Sequence, residues 1–437
     1  MAKKNGNSQS PKGSGEHRVS SSVDELLASA LSRGDENLET GRYIVTYKEN
    51  AGEEGMRSLS TMGLRVADAR DFTEQAVRLE SVGDAEAVVF PEIGAAVISG
   101  GAFNARGMSV QAEIAADSPI EAVEPEYFVF ALPTDPSTLY LRGFVRAAEA
   151  IAQDLRGPSE AEISPEEDPL VVGATWGLIK CRVPQSLKSG VGIKVAVLDT
   201  GMDLGHPDFA GRTIVSETFV GEPVQDLHSH GTHCIGTSTG PKAPAGTTPR
   251  YGIAHRAQIF AGKVLTNSGS GATANVLAGM NWAIANRCAV ISMSLGSQAP
   301  VQAAYTAAGS SALGKGCLIV AAAGNAGAAT GSPANSPTIF SVASLDPDMN
   351  PSSFSNFGKV EIAAPGRDVF SSVPRPTRYG TKSGTSMATP HVAGCAALWA
   401  ETSPTLRGMA LWKKLQQTAR PLPLPAVRVG SGLVQAP

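Results

Sequence analysis

The run IKVAVLDTG at residues 193–201 decides the fold. Val195, Ala196, Val197 and Leu198 are apolar in succession rather than in alternation, the pattern of a parallel strand covered on both faces. The run closes on Asp199, and Gly201 permits a sharp exit. The same texture returns in QIFAGKVL (258–265), AVISMSL (289–295) and CLIVAAAG (317–324), while NVLAGMNWAIAN (275–286) and VQAAYTAAGSSALGKG (301–316) carry helical spacing. Strand and helix in repetition predict an α/β, doubly wound parallel-sheet domain of about 250 residues. In such sheets ligands bind beyond the carboxyl ends of the strands, here Asp199, Leu265, Ser294 to Gly296 and Asn325.

Upstream the rhythm differs. YIVTYK (43–48) alternates like a half-buried strand, AGEEGMRSLSTM (51–62) reads as a helix, AVVFPEIGAAVISG (87–100) holds two strands, QAEIAADSP (111–119) is a second helix candidate, and IEAVEPEYFVFAL (120–132) is a final strand. That order predicts a small α+β ferredoxin-like domain. The expected organisation is a disordered lead-in over 1–40 with one short helix at 23–32, the small domain over 41–132, a helical and acidic linker over 133–172, the α/β domain over 173–425 and a tail over 426–437. Within the linker, LYLRGFVRAAEAIAQDL (139–155) has one apolar face and GPSEAEISPEEDP (157–169) is acidic and solvated.

Composition excludes several classes. The chain has 437 residues, 17% charged, with a net charge of -4 that hides a split. The first 170 residues hold 29 acids and 15 bases, and the rest hold 11 acids and 21 bases. The basic residues of the second part are scattered singly, without aromatic interleaving, so nucleic-acid binding is not expected. No run of about 18 apolar residues suggests a membrane span. The basic N-terminus lacks an apolar segment behind it, so the expectation is a cytoplasmic, monomeric protein, with secretion by a non-classical route as the alternative. Five Cys without a CxxC pair read as buried free thiols.

Three segments carry chemistry. Asp199 ends a strand, His230 and His233 open a helix in HSHGTHCIGT, and Ser386 sits at a helix mouth in SGTSMATPHVAG. Taken singly they read as a turn residue, a metal-type HxxH without a third ligand, and an N-cap. Taken together, at strand ends and helix starts bounded by Gly, they are what makes an alcohol nucleophilic: His230 accepts the Ser386 proton and Asp199 orients the imidazole. Asn325, after another parallel strand, and the Ser386 N–H would hold the developing oxyanion.

The motifs DTG, HGTH and GTSMATPHVAG in the order Asp, His, Ser resemble the subtilase family of serine endopeptidases. The likeness runs from Trp176 to Leu422, and HGTHC and SSFSNFG (352–358) are similar to the proteinase K branch. An α/β-hydrolase would need the order Ser, Asp, His and a GxSxG motif, whose last Gly is Ala388 here. The resemblance implies that a substrate peptide adds as a strand between Gly269-Ser270-Gly271 and Ser294-Leu295-Gly296. It also implies an uncharged pocket lined by Leu295, Ala323 and Gly324 that takes apolar P1 residues. Asp208 matches a calcium-ligand position of some subtilases, but the loop STGPKAPAGTTPRYG (238–252) lacks their Asn-rich run, so no cofactor is required and no metal is assigned. RYIVTYK and SPIEAVEPE resemble a subtilase propeptide, an inhibitor and folding chaperone in the same chain. Its tail would place Val129 at P4, Ala131 at P2 and Leu132 at P1, with self-processing after Leu132. The rival reading leaves YFVFAL as an edge strand. The expected partners are thus protein or peptide substrates and the chain's own first domain. A latent peptide-binding protein on the same fold is the reading from another class.

Overall fold

Alternation along residues 43–47 sorts the first domain's side chains onto two faces. The computed structural model describes residues 18–33, 38–108, 117–132, 173–246 and 248–437. Strands β1 (Glu39–Tyr47), β2 (Val66–Asp68), β3 (Ala87–Phe90), β4 (Ala95–Ile98) and β5 (Ile120–Ala131) form a sheet in the order β5-β1-β4-β3-β2. The pairs β5-β1, β1-β4 and β4-β3 are antiparallel, the order of the expected ferredoxin-like unit, and β2 is an additional parallel edge strand. One face, with Val45, Val89 and Ile98, packs with residues from α2 (Gly52–Thr61) and α3 (Gly100–Ala105). The other, with Ile44, Val88 and Val97, joins a core shared with the second domain. Ser99 caps α3 by accepting the Ala102 N–H, so a helix begins directly after β4. The helix expected from Gln111 falls largely on residues 109–116, outside the described residues.

The short helix expected within the lead-in, at 23–32, is present as α1 (Val23–Arg33), and it is docked. Ser22 and Glu25 cap it reciprocally through their side chains and backbone N–H groups. Val23, Leu26, Leu27 and Ala30 are buried with Phe128 of β5 and Val220. Residues 1–17 and 34–37, and the helix and acidic segment expected within 133–172, lie outside the described residues.

The second domain is a seven-stranded, all-parallel sheet, as expected. Its strands are β6 (Lys194–Asp199), β7 (Ile214–Thr218), β8 (Gln258–Lys263), β10 (Val290–Met293), β12 (Leu318–Ala322), β13 (Phe340–Leu345) and β14 (Ile362–Pro365), in the order β14-β13-β12-β10-β6-β8-β7. Short strands β9 (Ser270–Ala272) and β11 (Leu295–Gly296) stand outside it, and β15 (Val369–Ser372) pairs with β16 (Tyr379–Lys382). The helices are α4 (Trp176–Lys180), α5 (His230–Thr239), α6 (Thr273–Ala285), α7 (Ala303–Gly314), α8 (Thr385–Thr402), α9 (Gly408–Thr418) and α10 (Ala426–Val429). Val195 and Val197 pack with Ile235 of α5 and Val392 of α8, while Ala196 and Leu198 pack with Leu277 of α6 and Ala308 of α7. Successive residues of β6 therefore enter opposite cores, which explains why the run cannot alternate.

The expected tail over 426–437 is packed: Val429, Leu433 and Val434 are buried, and Leu433 bridges to Ala363 and Arg420. All five Cys are buried and free. No helix among the described residues is long and apolar enough to cross a membrane.

Candidate active site

Strand ends and helix starts converge at the carboxyl edge of the parallel sheet, where Asp199, His230, Asn325 and Ser386 come together. Asp199 Oδ1 is 2.8 Å from His230 Nδ1 and also accepts the Thr200 N–H at 2.7 Å. His230 is the first residue of α5, and the helix reaches Asp199 because its second residue is Gly231. A Cβ there would lie 2.3 Å from the Gly201 carbonyl oxygen. The helix start is tied by Asp226, which accepts N–H groups from His228, Ser229 and Thr232 and hydroxyls from Thr200 and Thr232. Asp226 was not singled out in the sequence; its only signal is an acid four residues before His230.

Ser386, the second residue of α8, is buried. Its Oγ donates to the Ser294 carbonyl at 3.1 Å and lies 3.4 Å from the Leu132 carbonyl oxygen. Asn325 donates from Nδ2 to that same Leu132 oxygen at 3.1 Å. Its Oδ1 accepts from the Thr385 N–H and hydroxyl at 2.9 and 2.8 Å, so Thr385 orients the amide. His230 Nε2 has no hydrogen-bond partner among the described residues. His233 faces away from this chemistry: it is buried, bonds the Val369 carbonyl, and burial is the main cause holding its pKa well below the ordinary histidine value. Donor atoms of Asp199, His230 and Cys234 lie within 4.8 Å of one another, but His230 Nδ1 is engaged by Asp199, and burial is the main cause holding the Cys234 thiol far above its ordinary pKa.

The end of β5 occupies the cleft as a strand between the two segments anticipated for substrate. Phe128, Val129 and Phe130 pair antiparallel with Ala272, Gly271 and Ser270, and Phe130 and Ala131 pair with Gly296 and Leu295. The Ala131 N–H donates to the Gly269 carbonyl at 2.8 Å. Beside Leu132 is a cavity of about 250 Å³ whose lining includes Ala323, Gly324 and Gly331 and no charged side chain. Leu295, anticipated in that lining, is absent from it; its side chain belongs to the core while its backbone holds the strand.

The Ser386 hydroxyl and the Asn325 amide thus meet one carbonyl of an added strand, at the same sheet edge as the paired Asp199 and His230. Residues 190–432 match the model of the Subtilase family, peptidase S8. The chain belongs to the subtilase family. It is 41% identical over 268 residues to Subtilisin Savinase of Lederbergia lenta, covering 60% of this chain and 96% of that one. Thermitase of Thermoactinomyces vulgaris is 41% identical over 239 residues, covering 53% and 84%, and Subtilisin E of Bacillus subtilis is 36% identical over 288 residues, covering 62% and 73%. Among solved structures, a cold-adapted subtilisin-like serine proteinase matches with a TM-score of 0.54 and 33% identity, covering 60% of this chain and 98% of that one. This subtilase is a subtilisin-like serine endopeptidase acting on protein substrates.

Two further features bear on how the subtilase is held together. Arg42 and Glu126, both buried, form an ion pair at 2.6 Å. Arg42 also donates to the Val19 carbonyl, and Glu126 accepts the Ala274 N–H in the first turn of α6. Glu124 accepts the Ala303 N–H at the start of α7. Carboxylates from β5 thereby meet the positive ends of two helices of the other domain. Asp208, by contrast, accepts hydroxyls from Tyr251 at 2.6 Å and Tyr379 at 3.1 Å.

Proposed function

We propose that this endopeptidase is made as a zymogen whose N-terminal domain inhibits it by seating Leu132 at P1. Ser386 Oγ attacks the substrate carbonyl, His230 Nε2 takes the proton and returns it to the leaving amine, and Asp199 steadies the imidazolium. Asn325 Nδ2 donates to the oxyanion as it forms. Protein side chains and backbone supply every group in these steps. The observation that carries the reading is the Leu132 carbonyl oxygen, held by Asn325 while β5 pairs on both sides. An uncharged cavity left beside Leu132 supports preference for apolar P1 side chains of leucine size or larger.

Full-length wild type and full-length Leu132→Asp are compared on a chromogenic peptide with Phe at P1. A carboxylate is poorly accommodated in an uncharged pocket, so the variant should unseat its tail and hydrolyse the added peptide faster. Equal rates would remove the inhibitory role. Peptides with Lys or Glu at P1 should be cut more slowly than the Phe peptide by the same variant.

A further inference from the structure

We propose that the bond presented to Ser386 is one the enzyme cuts poorly, because the residue after Leu132 is Pro133. The tail then acts as a standing plug rather than as a product waiting to leave. The inference rests on the reading of the first domain as an inhibitor. Pro133 lies outside the described residues, and only its covalent chemistry enters the argument.

Leu132 is the carbonyl donor of the bond at issue. Its oxygen is 3.1 Å from Asn325 Nδ2 and 3.4 Å from Ser386 Oγ, so attack would occur on this carbonyl and no other. In that step the Ser386 Oγ–C bond forms, the hydroxyl proton passes to His230 Nε2, and negative charge collects on the Leu132 oxygen. Collapse toward products must break the C–N bond, with the nitrogen taking the proton back from His230 to leave as an amine. In an ordinary substrate that nitrogen carries a hydrogen. In proline it carries ring Cδ instead. The departing nitrogen therefore carries a ring carbon where an ordinary substrate carries a hydrogen, and departure of Ser386 Oγ, which restores the intact bond, is the easier collapse.

The same ring favours occupancy. A residue before proline is confined to extended conformations, the form Leu132 needs at the end of a bound strand, so proline pre-orders the tail while obstructing its cleavage. Self-processing after Leu132, expected from the sequence, thereby becomes a slow event. Activation depends on a cut at another bond or on release of the domain.

The test incubates full-length wild type, Pro133→Ala and Pro133→Ala/Ser386→Ala, and follows intact mass and N-terminal sequence. Wild type should keep its full-length mass through a period that converts Pro133→Ala into two fragments, the second starting at position 133. The double variant should stay whole. Cleavage of wild type between 132 and 133 as fast as the single variant would overturn the inference and leave the protease reading intact. So would a Pro133→Ala chain that remains uncut while hydrolysing an added Phe-P1 peptide. If no form hydrolyses the peptide and Ser386 takes up no fluorophosphonate, the zymogen reading fails and this inference with it.

Discussion

At the scale of single residues, Asn325 and Ser386 make different contributions that kinetics can separate. Asn325 donates to the Leu132 oxygen while the Thr385 N–H and hydroxyl hold its Oδ1. In subtilisin, a relative, losing the oxyanion-hole amide costs about 10² to 10³ in kcat. Asn325→Ala, made in the unseated Leu132→Asp chain, should show a loss of that size with little change in KM, whereas Ser386→Ala should lose measurable turnover. Gly231→Ala should act through position: its Cβ would strike the Gly201 carbonyl, pushing α5 away and breaking the 2.8 Å contact between His230 and Asp199. Asp199, His230, Asn325 and Ser386 could be singled out in the sequence because each sits in a short Gly-bounded motif. Asp226 and Thr385 were not, since what they do depends on a helix start and a neighbouring amide that spacing alone does not bring together. Leu295 was half legible: its backbone holds the added strand as anticipated, but its side chain points into the core.

At the scale of elements, α1 was expected as a short helix, but its docking was not. Its four buried apolar residues find the other half of their contact in Phe128 and Val220, far away in sequence. Leu26 is fully buried there, and removing such a side chain costs about 2–5 kcal/mol. Leu26→Ala should therefore speed amide exchange at Phe128 and Phe130 while protection of β6, β10 and β12 is unchanged. The parallel strands were legible as continuous apolar runs for a physical reason: each is covered on both sides. The packed C-terminal residues were not, because Leu433 earns its burial from Ala363 and Arg420, far away in sequence.

At the scale of the whole molecule, titration adds a pH dependence to an association that also rests on a shared apolar core. Burial is the main cause raising the pKa values of Glu80, Glu124 and Asp24, and nearby Glu222 adds to the rise at Asp24. Glu124 meets the other domain at Ala303. A carboxyl whose pKa is higher when docked than when free favours docking while protonated, and that contribution is lost as pH rises through the raised value. Inhibition of the full-length chain should thus be tighter toward acid and should slacken as pH climbs above the ordinary carboxylate range. Glu124→Gln should flatten part of that slope, read as the pH dependence of β5 amide exchange after correction for intrinsic rates. The acidic balance of the first 170 residues and the basic balance of the remainder also predict that separately added first domain inhibits less well as salt rises.

Register between β5, β9 and β11 has a consequence in time. All the strands that β5 joins in the first domain, β1 through β4, precede it in the chain, so that domain is complete when Leu132 leaves the ribosome. Ser386 follows 254 residues later. At about 5–20 residues per second that is a delay of roughly 13–50 s. Asp199, His230 and Asn325 are made within this interval and the nucleophile comes last, so the catalytic centre is assembled around a strand already waiting for it and is never born empty.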